Sequence, residues 1–235
     1  MTTIVIIPAR GGSKRIPRKN VRDFCGKPML AWTIEAARSS GCFDEIMVST
    51  DDQGIANVAQ KWGVETPFIR PAHLADDITG TVPVINHAVE WYKQRRELPA
   101  VVCCLYATAP FLLPADIQRG LAILEQSGAD YAISVTSFPF PIQRALRITR
   151  SKRVEMFNPE HLSTRSQDLE SAYHDAGQFY WGTSEAWLSG KPLLSNAAAA
   201  VEIPRYRVQD IDTQEDWERA EWLFKALQVG EGRIR

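Results

Sequence analysis

The sequence predicts an α/β fold: a Rossmann-like, mostly parallel sheet with helices on both faces. Two observations indicate this fold. Short apolar runs alternate along the chain with segments of helical periodicity, and glycines stand where those helices would end. The chain has 235 residues, of which 45% are hydrophobic, so it can bury the core of one such domain. We therefore treat residues 1–235 as a single domain.

The first part of the chain alternates strands with helices. Strands are predicted at residues 3–8, 45–49, 67–69, 100–106 and 131–135. Helices are predicted between them, at residues 28–39, 53–62, 82–95 and 114–126. Three of these helices are followed by Gly41, Gly63 and Gly128, as expected where a chain takes positive φ at a helix end. This order favours a doubly wound sheet with its ligand site at the carboxyl ends of the strands.

The segment from about 137 to 172 interrupts the alternation. It opens on the breaker Phe138-Pro139-Phe140-Pro141 and alternates only weakly, at 145–149 and 154–157. We interpret it as a small insertion whose short strands extend from the main sheet; an ordinary surface loop is the alternative. Beyond it, strands are predicted at 178–182 and 199–203. A closing helix is predicted after Asp212, where apolar residues recur at spacings of three and four.

Composition argues against two classes of function. The 27 basic and 28 acidic residues nearly balance, which argues against a nucleic-acid-binding protein with a basic surface. No apolar run reaches the roughly 18 residues that span a bilayer, so we expect no membrane partner. The N-terminus enters a strand pattern without a charged leader, and the four cysteines have no metal or disulfide spacing. Both features favour the cytoplasm.

The strongest local signal is a glycine-rich basic loop directly after the first strand. Adjacent Gly11 and Gly12 allow backbone N–H groups to approach phosphate oxygens, and cationic side chains neutralise phosphate charge. The spacing is neither that of a Walker A loop nor that of a dinucleotide fingerprint. The loop predicts a triphosphate site, with a solvated basic loop as the alternative. Only one acidic residue, Asp23, accompanies its cations and those just after it, which are Arg10, Lys14, Arg15, Arg18, Lys19, Arg22 and Lys27.

This loop resembles the signature of the CMP-sugar synthetases, the cytidylyltransferases that act on sialic, legionaminic and pseudaminic acids. The matching segment is Ile7-Pro8-Ala9-Arg10-Gly11-Gly12-Ser13-Lys14, continuing to Lys19-Asn20. The resemblance implies that Arg10, Ser13 and Lys19 hold the triphosphate of CTP and that Asn20 contacts the nucleotide. The nucleotide site that it implies consists of Ala9, Arg10, Gly11, Gly12, Ser13, Lys14, Lys19, Asn20, Arg70 and Thr81.

Arg70 and Thr81 match the next block of that family, in which an arginine and a hydroxyl residue approach the cytidine. Thr81 as the N-cap of the following helix is the alternative. Tyr106-Ala107-Thr108-Ala109-Pro110 matches a block that reads Gln-Pro-Thr-Ser-Pro in sialic acid synthetases, where the glutamine contacts the sugar. Tyr106 in its place argues against sialic acid and resembles the branch that acts on pseudaminic acid. The resemblance gives Tyr106 and Thr108 sugar-binding roles, with a buried, satisfied tyrosine as the alternative.

Two later blocks complete the implied sugar site. Arg165 matches an arginine that faces the sugar carboxylate, a task suited to its bidentate fork; a surface salt bridge is the alternative. Ala176-Gly177-Gln178 stands where sialic acid synthetases carry Asn-Gly-Ala, and again resembles the pseudaminic acid branch. Gln178 is therefore expected to read an amide group of the sugar.

The closing acidic pair, Asp210 and Asp212, also matches the family. Alternate residues of an extended segment point the same way, so both carboxylates can bind one Mg²⁺, which prefers one or two carboxylates with water and phosphate oxygens. Capping of the last helix by Asp212 or Thr213 is the alternative. We expect Arg10, Lys19 and Asp212 to be catalytic.

The resemblance implies transfer of CMP from CTP to an acidic nine-carbon sugar, most closely pseudaminic acid, by a homodimer joined through residues 137–172. A synthetase for sialic or legionaminic acid is the first alternative. A nucleotidyltransferase that uses UTP or GTP with a sugar 1-phosphate is more remote, because it would lack the Arg165 block. A non-catalytic nucleotide-binding regulator would be expected to lack the acidic pair or the basic loop, and both are present.

Overall fold

The computed structural model describes residues 2–232 of the chain. Its strands are β1 (Thr3–Pro8), β2 (Asp23–Phe24), β3 (Lys27–Pro28), β4 (Glu45–Ser49), β5 (Val101–Leu105), β6 (Tyr131–Ser137), β7 (Leu146–Ile148), β8 (Val154–Met156), β9 (Tyr173–Thr183) and β10 (Ala198–Glu202). Its α-helices are α1 (Met29–Ser40), α2 (Gln53–Lys61), α3 (Thr81–Lys93), α4 (Pro114–Ser127), α5 (Ser184–Ser189) and α6 (Gln214–Gly232).

The central sheet has six strands in the order β10-β6-β9-β5-β1-β4. β1 pairs in parallel with β4 and β5, and β10 pairs in parallel with β6. β9 runs antiparallel between β5 and β6. The sheet is therefore mostly parallel, and the predicted fold class is confirmed.

Apolar side chains on both faces of the sheet make the core. Successive strand residues point to opposite faces, and β1 is buried on both. Val5 and Ile7 join one apolar cluster, together with side chains of α1, α2 and α4. Ile4 and Ile6 join the other, together with side chains of α3 and α5. This arrangement gives helices on both faces and leaves the strand ends free for a site.

Local signals explain where several helices begin and end. Asp52 caps α2 by accepting a hydrogen bond from the N–H of Ile55 at 2.8 Å. Gly41 and Gly128 end α1 and α4 with φ values of 65° and 66°, as expected from their positions after helical segments. Among residues 2–232, every helix is too short or too polar to cross a membrane.

Two strand predictions are wrong in detail. Residues 67–69 form no strand: Ile69 makes an isolated bridge to Thr50 beside the edge strand β4, and Pro67 has no N–H with which to extend a ladder. The short strands β7 and β8 form a separate antiparallel hairpin rather than an extension of the main sheet. The main sheet is lengthened instead by β6 and β9, which pair as far as Ser137 and Tyr173.

Candidate active site

Two adjoining cavities open at the carboxyl ends of β1 and β5. The first, the basic cavity, has a volume of about 480 Å³ and is lined by the loop after β1 and by the start of α3. The second, the acidic cavity, has a volume of about 590 Å³ and is lined by β9 and by residues 208–212. Both are lined by Lys19, Tyr106, Thr108 and Asp212. The cavities therefore share a wall, and ligands bound in them would meet there.

Hydrogen bonds within the loop after β1, and from the loop to Asp51, hold its backbone in place. Buried Asn20 donates from its side-chain amide to the carbonyl of Arg10 at 2.9 Å. The N–H of Gly11 donates to the Asp51 carboxylate at 2.9 Å, and a Cβ at Gly11 would lie only 2.8 Å from Cβ of Asp52. The predicted nucleotide residues that line the basic cavity are Arg10, Ser13, Lys14, Lys19, Asn20, Arg70 and Thr81. Those outside its lining are Ala9, Gly11 and Gly12.

An acidic residue that the sequence analysis did not select occupies the mouth of this loop. The two oxygens of Asp77 lie 2.9 Å from Nη1 of Arg10 and 2.6 Å from Nζ of Lys14. The hydrogen bond from Lys14 is the main cause of the lowered pKa of Asp77. The predicted phosphate-binding cations are therefore paired with a carboxylate.

Arg70 and Thr81 form the far side of the basic cavity. Arg70 is buried and donates to the carbonyl of Ser49 at 2.8 Å, and its burial lowers the pKa of its guanidinium. Thr81 is the first residue of α3, whose N-cap is Gly80. The Thr81 hydroxyl instead shares a hydrogen bond of 2.9 Å with the hydroxyl of Tyr106. The N-cap interpretation of Thr81 is thus wrong.

A row of hydroxyl groups crosses the shared wall. The Tyr106 hydroxyl, which meets Thr81 on one side, lies 3.4 Å from the hydroxyl of Tyr180 on the other. Tyr180 donates to the carboxylate of Asp175, which lines the acidic cavity. Burial raises the pKa of Tyr106, so its phenol is neutral at physiological pH. Polar groups therefore connect the two cavities.

The acidic pair faces the basic loop. Asp212 Oδ1 lies 3.4 Å from Nζ of Lys19, and Asp212 Oδ2 lies 2.7 Å from Nη2 of Arg15. Burial, followed by the negative charge of Asp212, raises the pKa of Asp210. Both carboxylates line the acidic cavity, where like charges disfavour ionisation of each other. Loop and acidic pair thus lie together, while their catalytic roles stay predictions.

Thr213, rather than Asp212, caps α6. The Thr213 hydroxyl accepts from the N–H of Asp216 at 3.2 Å, and Asp216 accepts from the N–H of Thr213 at 2.9 Å. The Asp212 carboxylate is therefore left facing the cavities.

The donor set beside the loop fits a magnesium ion. Mg²⁺ is commonly bound by one or two carboxylates and completes its shell with water and substrate phosphates. Asp210 and Asp212 supply two carboxylates next to cations suited to phosphate. Within residues 2–232, no group of three or more His, Cys, Asp or Glu side chains could hold a metal without such help.

Two predicted sugar-binding residues line neither cavity. Arg165 is exposed at the start of a short 3-10 turn. Gln178 is buried, and its Nε2 donates to the carbonyl of Arg207 at 2.6 Å. Conversely, Asp77, Asp175 and Tyr180 line the cavities but were missed, and Arg15 was named only as one of the loop's cations. The sequence signal for Asp77, Asp175 and Tyr180 was limited to their closeness in sequence to the matched residues.

Comparison with known proteins covers nearly the whole chain. A family model described as cytidylyltransferase matches residues 4–223. A pseudaminic acid cytidylyltransferase of Campylobacter jejuni is 44% identical over 225 residues, which are 96% of this chain and 97% of that protein. A CMP-N,N'-diacetyllegionaminic acid synthase of Legionella pneumophila is 31% identical over 97% of this chain and 98% of that protein.

A solved structure supports the fold. A CMP:2-keto-3-deoxy-manno-octonic acid synthetase complexed with CTP superposes with a TM-score of 0.70, covering 98% of this chain and 100% of that one at 18% identity. At 18% identity this match is evidence for the fold alone. The sequence relatives and the family model carry the assignment: this enzyme is a CTP-dependent nucleotidyltransferase, and the chain belongs to the cytidylyltransferase family.

Proposed function

We propose that this enzyme transfers CMP from CTP to pseudaminic acid and releases pyrophosphate. The observation that carries the proposal is the 3.4 Å approach of Lys19 Nζ to the Asp212 carboxylate at the wall shared by the two cavities. A nucleotide in the basic cavity would thereby present its phosphates to a sugar in the acidic cavity.

The reaction is an in-line displacement at the α-phosphorus. The anomeric hydroxyl oxygen of the sugar forms the new bond to phosphorus, the bond to the pyrophosphate oxygen breaks, and the hydroxyl proton is released. Arg10, Lys14 and Lys19 would neutralise the phosphate charge, and Tyr106 and Thr108 would orient the sugar. Catalysis of this kind rests mainly on positioning and on electrostatic stabilisation.

Asp210 and Asp212 would hold Mg²⁺. The bound ion supplies charge neutralisation at the phosphate oxygens. Both carboxylates must be ionised to bind it. Because burial and Asp212 raise the pKa of Asp210, metal binding should weaken as the pH falls through that pKa.

One observation favours pseudaminic acid over legionaminic acid, and a second argues against sialic acid. The relative named for pseudaminic acid is 44% identical and the one named for legionaminic acid is 31% identical, each over nearly the full chain. Tyr106, at the shared wall, also departs from the glutamine of the sialic acid branch.

Initial rates with CTP, Mg²⁺ and each of the three purified sugars test this preference. Pseudaminic acid should give the highest kcat/KM, and mass spectrometry should identify its CMP conjugate. A higher kcat/KM for legionaminic or sialic acid would contradict the proposed substrate while leaving the family assignment intact.

The inserted segment, residues 137–172, supports a homodimer. It exposes apolar side chains that one chain leaves uncovered: Phe140, Ile148, Val154, Phe157 and Leu162. Exposed apolar patches of this kind commonly mark protein–protein interfaces. Light scattering should give twice the chain mass, and Ile148→Lys should give the monomer. Ile78→Lys, at a residue even more exposed but outside the segment, should leave the dimer intact; a monomeric wild type would contradict this interface.

The reaction is further proposed to take place in the cytoplasm. Cys25, Cys42, Cys103 and Cys104 are all free thiols, which suits a reducing compartment. Fractionation of cells that produce the protein should recover its CTP-consuming activity with the cytoplasmic fraction, and recovery from an oxidising compartment would contradict the proposal.

A further inference from the structure

A buried ion pair includes Arg207, the residue directly before the segment that lines the acidic cavity. Asp116 in α4 is 2% exposed, and Arg207, in the short 3-10 turn Arg205–Arg207, is 8% exposed. Both terminal nitrogens of the Arg207 fork donate to the Asp116 carboxylate, with Nη2 lying 3.1 Å from Oδ1. Removing two charges from water is costly, so such a pair is weak evidence for stability in itself. Its two parallel hydrogen bonds, however, fix one geometry.

The backbone of Arg207 is tied to the cavity wall as well. Its carbonyl accepts a hydrogen bond of 2.6 Å from Nε2 of Gln178 in β9. The carbonyl of Gln178 in turn accepts from the N–H of Tyr106 at 2.9 Å. The ion pair is thereby connected to a residue that lines both cavities.

The acidic segment, residues 208–212, begins directly after Arg207. The residues of this segment line one side of the acidic cavity. At its far end the Thr213–Asp216 cap fixes the entry into α6. In between, Lys19 donates to the carbonyl of Ile211 at 2.7 Å. The segment is thus held at both ends, and Arg207 is the anchor at its start.

We infer that Arg207 is a positioning residue for the acidic pair: its fork on Asp116 fixes where the segment begins and so how Asp210 and Asp212 face the basic loop. Lysine would keep the charge but not the fork, because an ammonium group is a point charge. The inference rests on the proposed function, in which the acidic pair binds the metal. Gln178 belongs to the same support, as the residue that ties Arg207 to β9.

The test compares Arg207→Lys with Arg205→Lys. Arg205 lies in the same turn but is exposed and lines neither cavity, so it is a matched control. A second variant, Asp116→Leu with Arg207→Met, replaces the pair by apolar side chains of similar size, a change that commonly preserves folding. The binding readout is Mn²⁺ affinity of the enzyme–CTP complex without sugar, from the electron paramagnetic resonance of free Mn²⁺. Kinetics add the half-saturating Mg²⁺ concentration and the sugar KM.

We expect Arg207→Lys and the double variant each to weaken Mn²⁺ binding. Each should also raise the half-saturating Mg²⁺ concentration by about tenfold, as is typical when a residue that supports a metal ligand is lost. The sugar KM should change by less than about twofold, and Arg205→Lys should behave as wild type. Unchanged Mn²⁺ affinity in a folded double variant, with Asp212→Asn losing the ion, would overturn the inference alone. Equal Mn²⁺ binding by wild type and Asp212→Asn would overturn the metal site itself, and the inference with it.

Discussion

The basic loop and the acidic segment line the same wall but are held there in different ways. Lys14 exposes 81% of its side chain and pairs with an exposed Asp77. The acidic segment is anchored by Asp116 and Arg207, two buried residues 91 positions apart. Exposed ion pairs contribute only about 0 to 1 kcal/mol and are easily exchanged. From this difference we expect the loop to change partners when phosphates bind and the segment to stay fixed.

The largest expected effect on activity comes from a substitution in the acidic segment. Asp212→Asn removes a proposed metal ligand and the partner of Lys19 and Arg15, so kcat should fall on the order of 1000-fold. Steady-state kinetics at saturating CTP and sugar would measure it. Glu215→Gln, which neutralises a nearby exposed acid in the first turn of α6, is the control and should retain activity. Substantial Mg²⁺-dependent turnover by Asp212→Asn would refute the metal assignment.

A comparison within the loop should show the next largest effect. Lys19 exposes only 19% of its side chain at the shared wall, against 81% for Lys14. Since hydrogen bonds to charged groups contribute about 1.5–3 kcal/mol when shielded from water, Lys19→Met should raise the KM for CTP or lower kcat by about 10- to 100-fold. Lys14→Met should cost less than about tenfold.

In both variants the sugar KM should stay nearly constant. An unchanged CTP KM and kcat in Lys19→Met would contradict the phosphate-binding role of the loop.

The acidic segment should also show a trade between stability and metal binding. The pKa of Asp210 is raised by burial and by Asp212, so the folded chain binds the proton more tightly than the unfolded chain. Ionised Asp210 therefore destabilises the fold at neutral pH, and stability should rise as the pH falls through the raised pKa. Because Asp210 is exposed to solvent, which screens its charge, Asp210→Asn should raise Tm in EDTA by less than about 2 °C and abolish stabilisation by Mg²⁺.

Scanning calorimetry with EDTA or Mg²⁺ would measure both changes. A lower Tm for Asp210→Asn in EDTA would show that its charge is stabilised rather than strained.

The smallest expected effect concerns the exchangeable partner of the loop. Asp77 forms salt bridges with Arg10 and Lys14 and would compete with phosphate for them. Asp77→Asn should therefore lower the KM for CTP by about twofold, the scale of an exposed ion pair. The gain should shrink at high salt because exposed charges are screened. A raised KM would mean that Asp77 supports the loop instead of competing with phosphate.

The same contrast explains what could be predicted from the sequence. β1 and the basic loop were predictable because the signal is local: an apolar run, then Gly11 and Gly12 among cations. The helix ends at Gly41 and Gly128 were predictable for the same reason. The strand predicted at residues 67–69 does not form, although the edge of β4 lies beside it, because Pro67 has no N–H for a ladder and only isolated bridges result.

The features that could not be predicted from the sequence depend on contacts between residues far apart in the chain. The antiparallel placement of β9 depends on pairing with both β5 and β6, and the register shifts between Ile133 and Val135. That shift makes the facing of β9 side chains hard to infer. Gln178, expected in the sugar site from the family resemblance, bonds to Arg207 instead, while Tyr180 and Asp175 line the acidic cavity and were missed. The Asp116–Arg207 pair likewise has no local signal.

In the proposed mechanism the loop and the acidic pair form one reaction centre, and a crystal of the enzyme with CTP and Mn²⁺ would test this arrangement most directly. Anomalous scattering should place Mn²⁺ between the Asp210 and Asp212 carboxylates and the phosphates of CTP, with Arg10 and Lys19 on the triphosphate. A metal bound away from the acidic pair, or a triphosphate bound away from the loop, would contradict it.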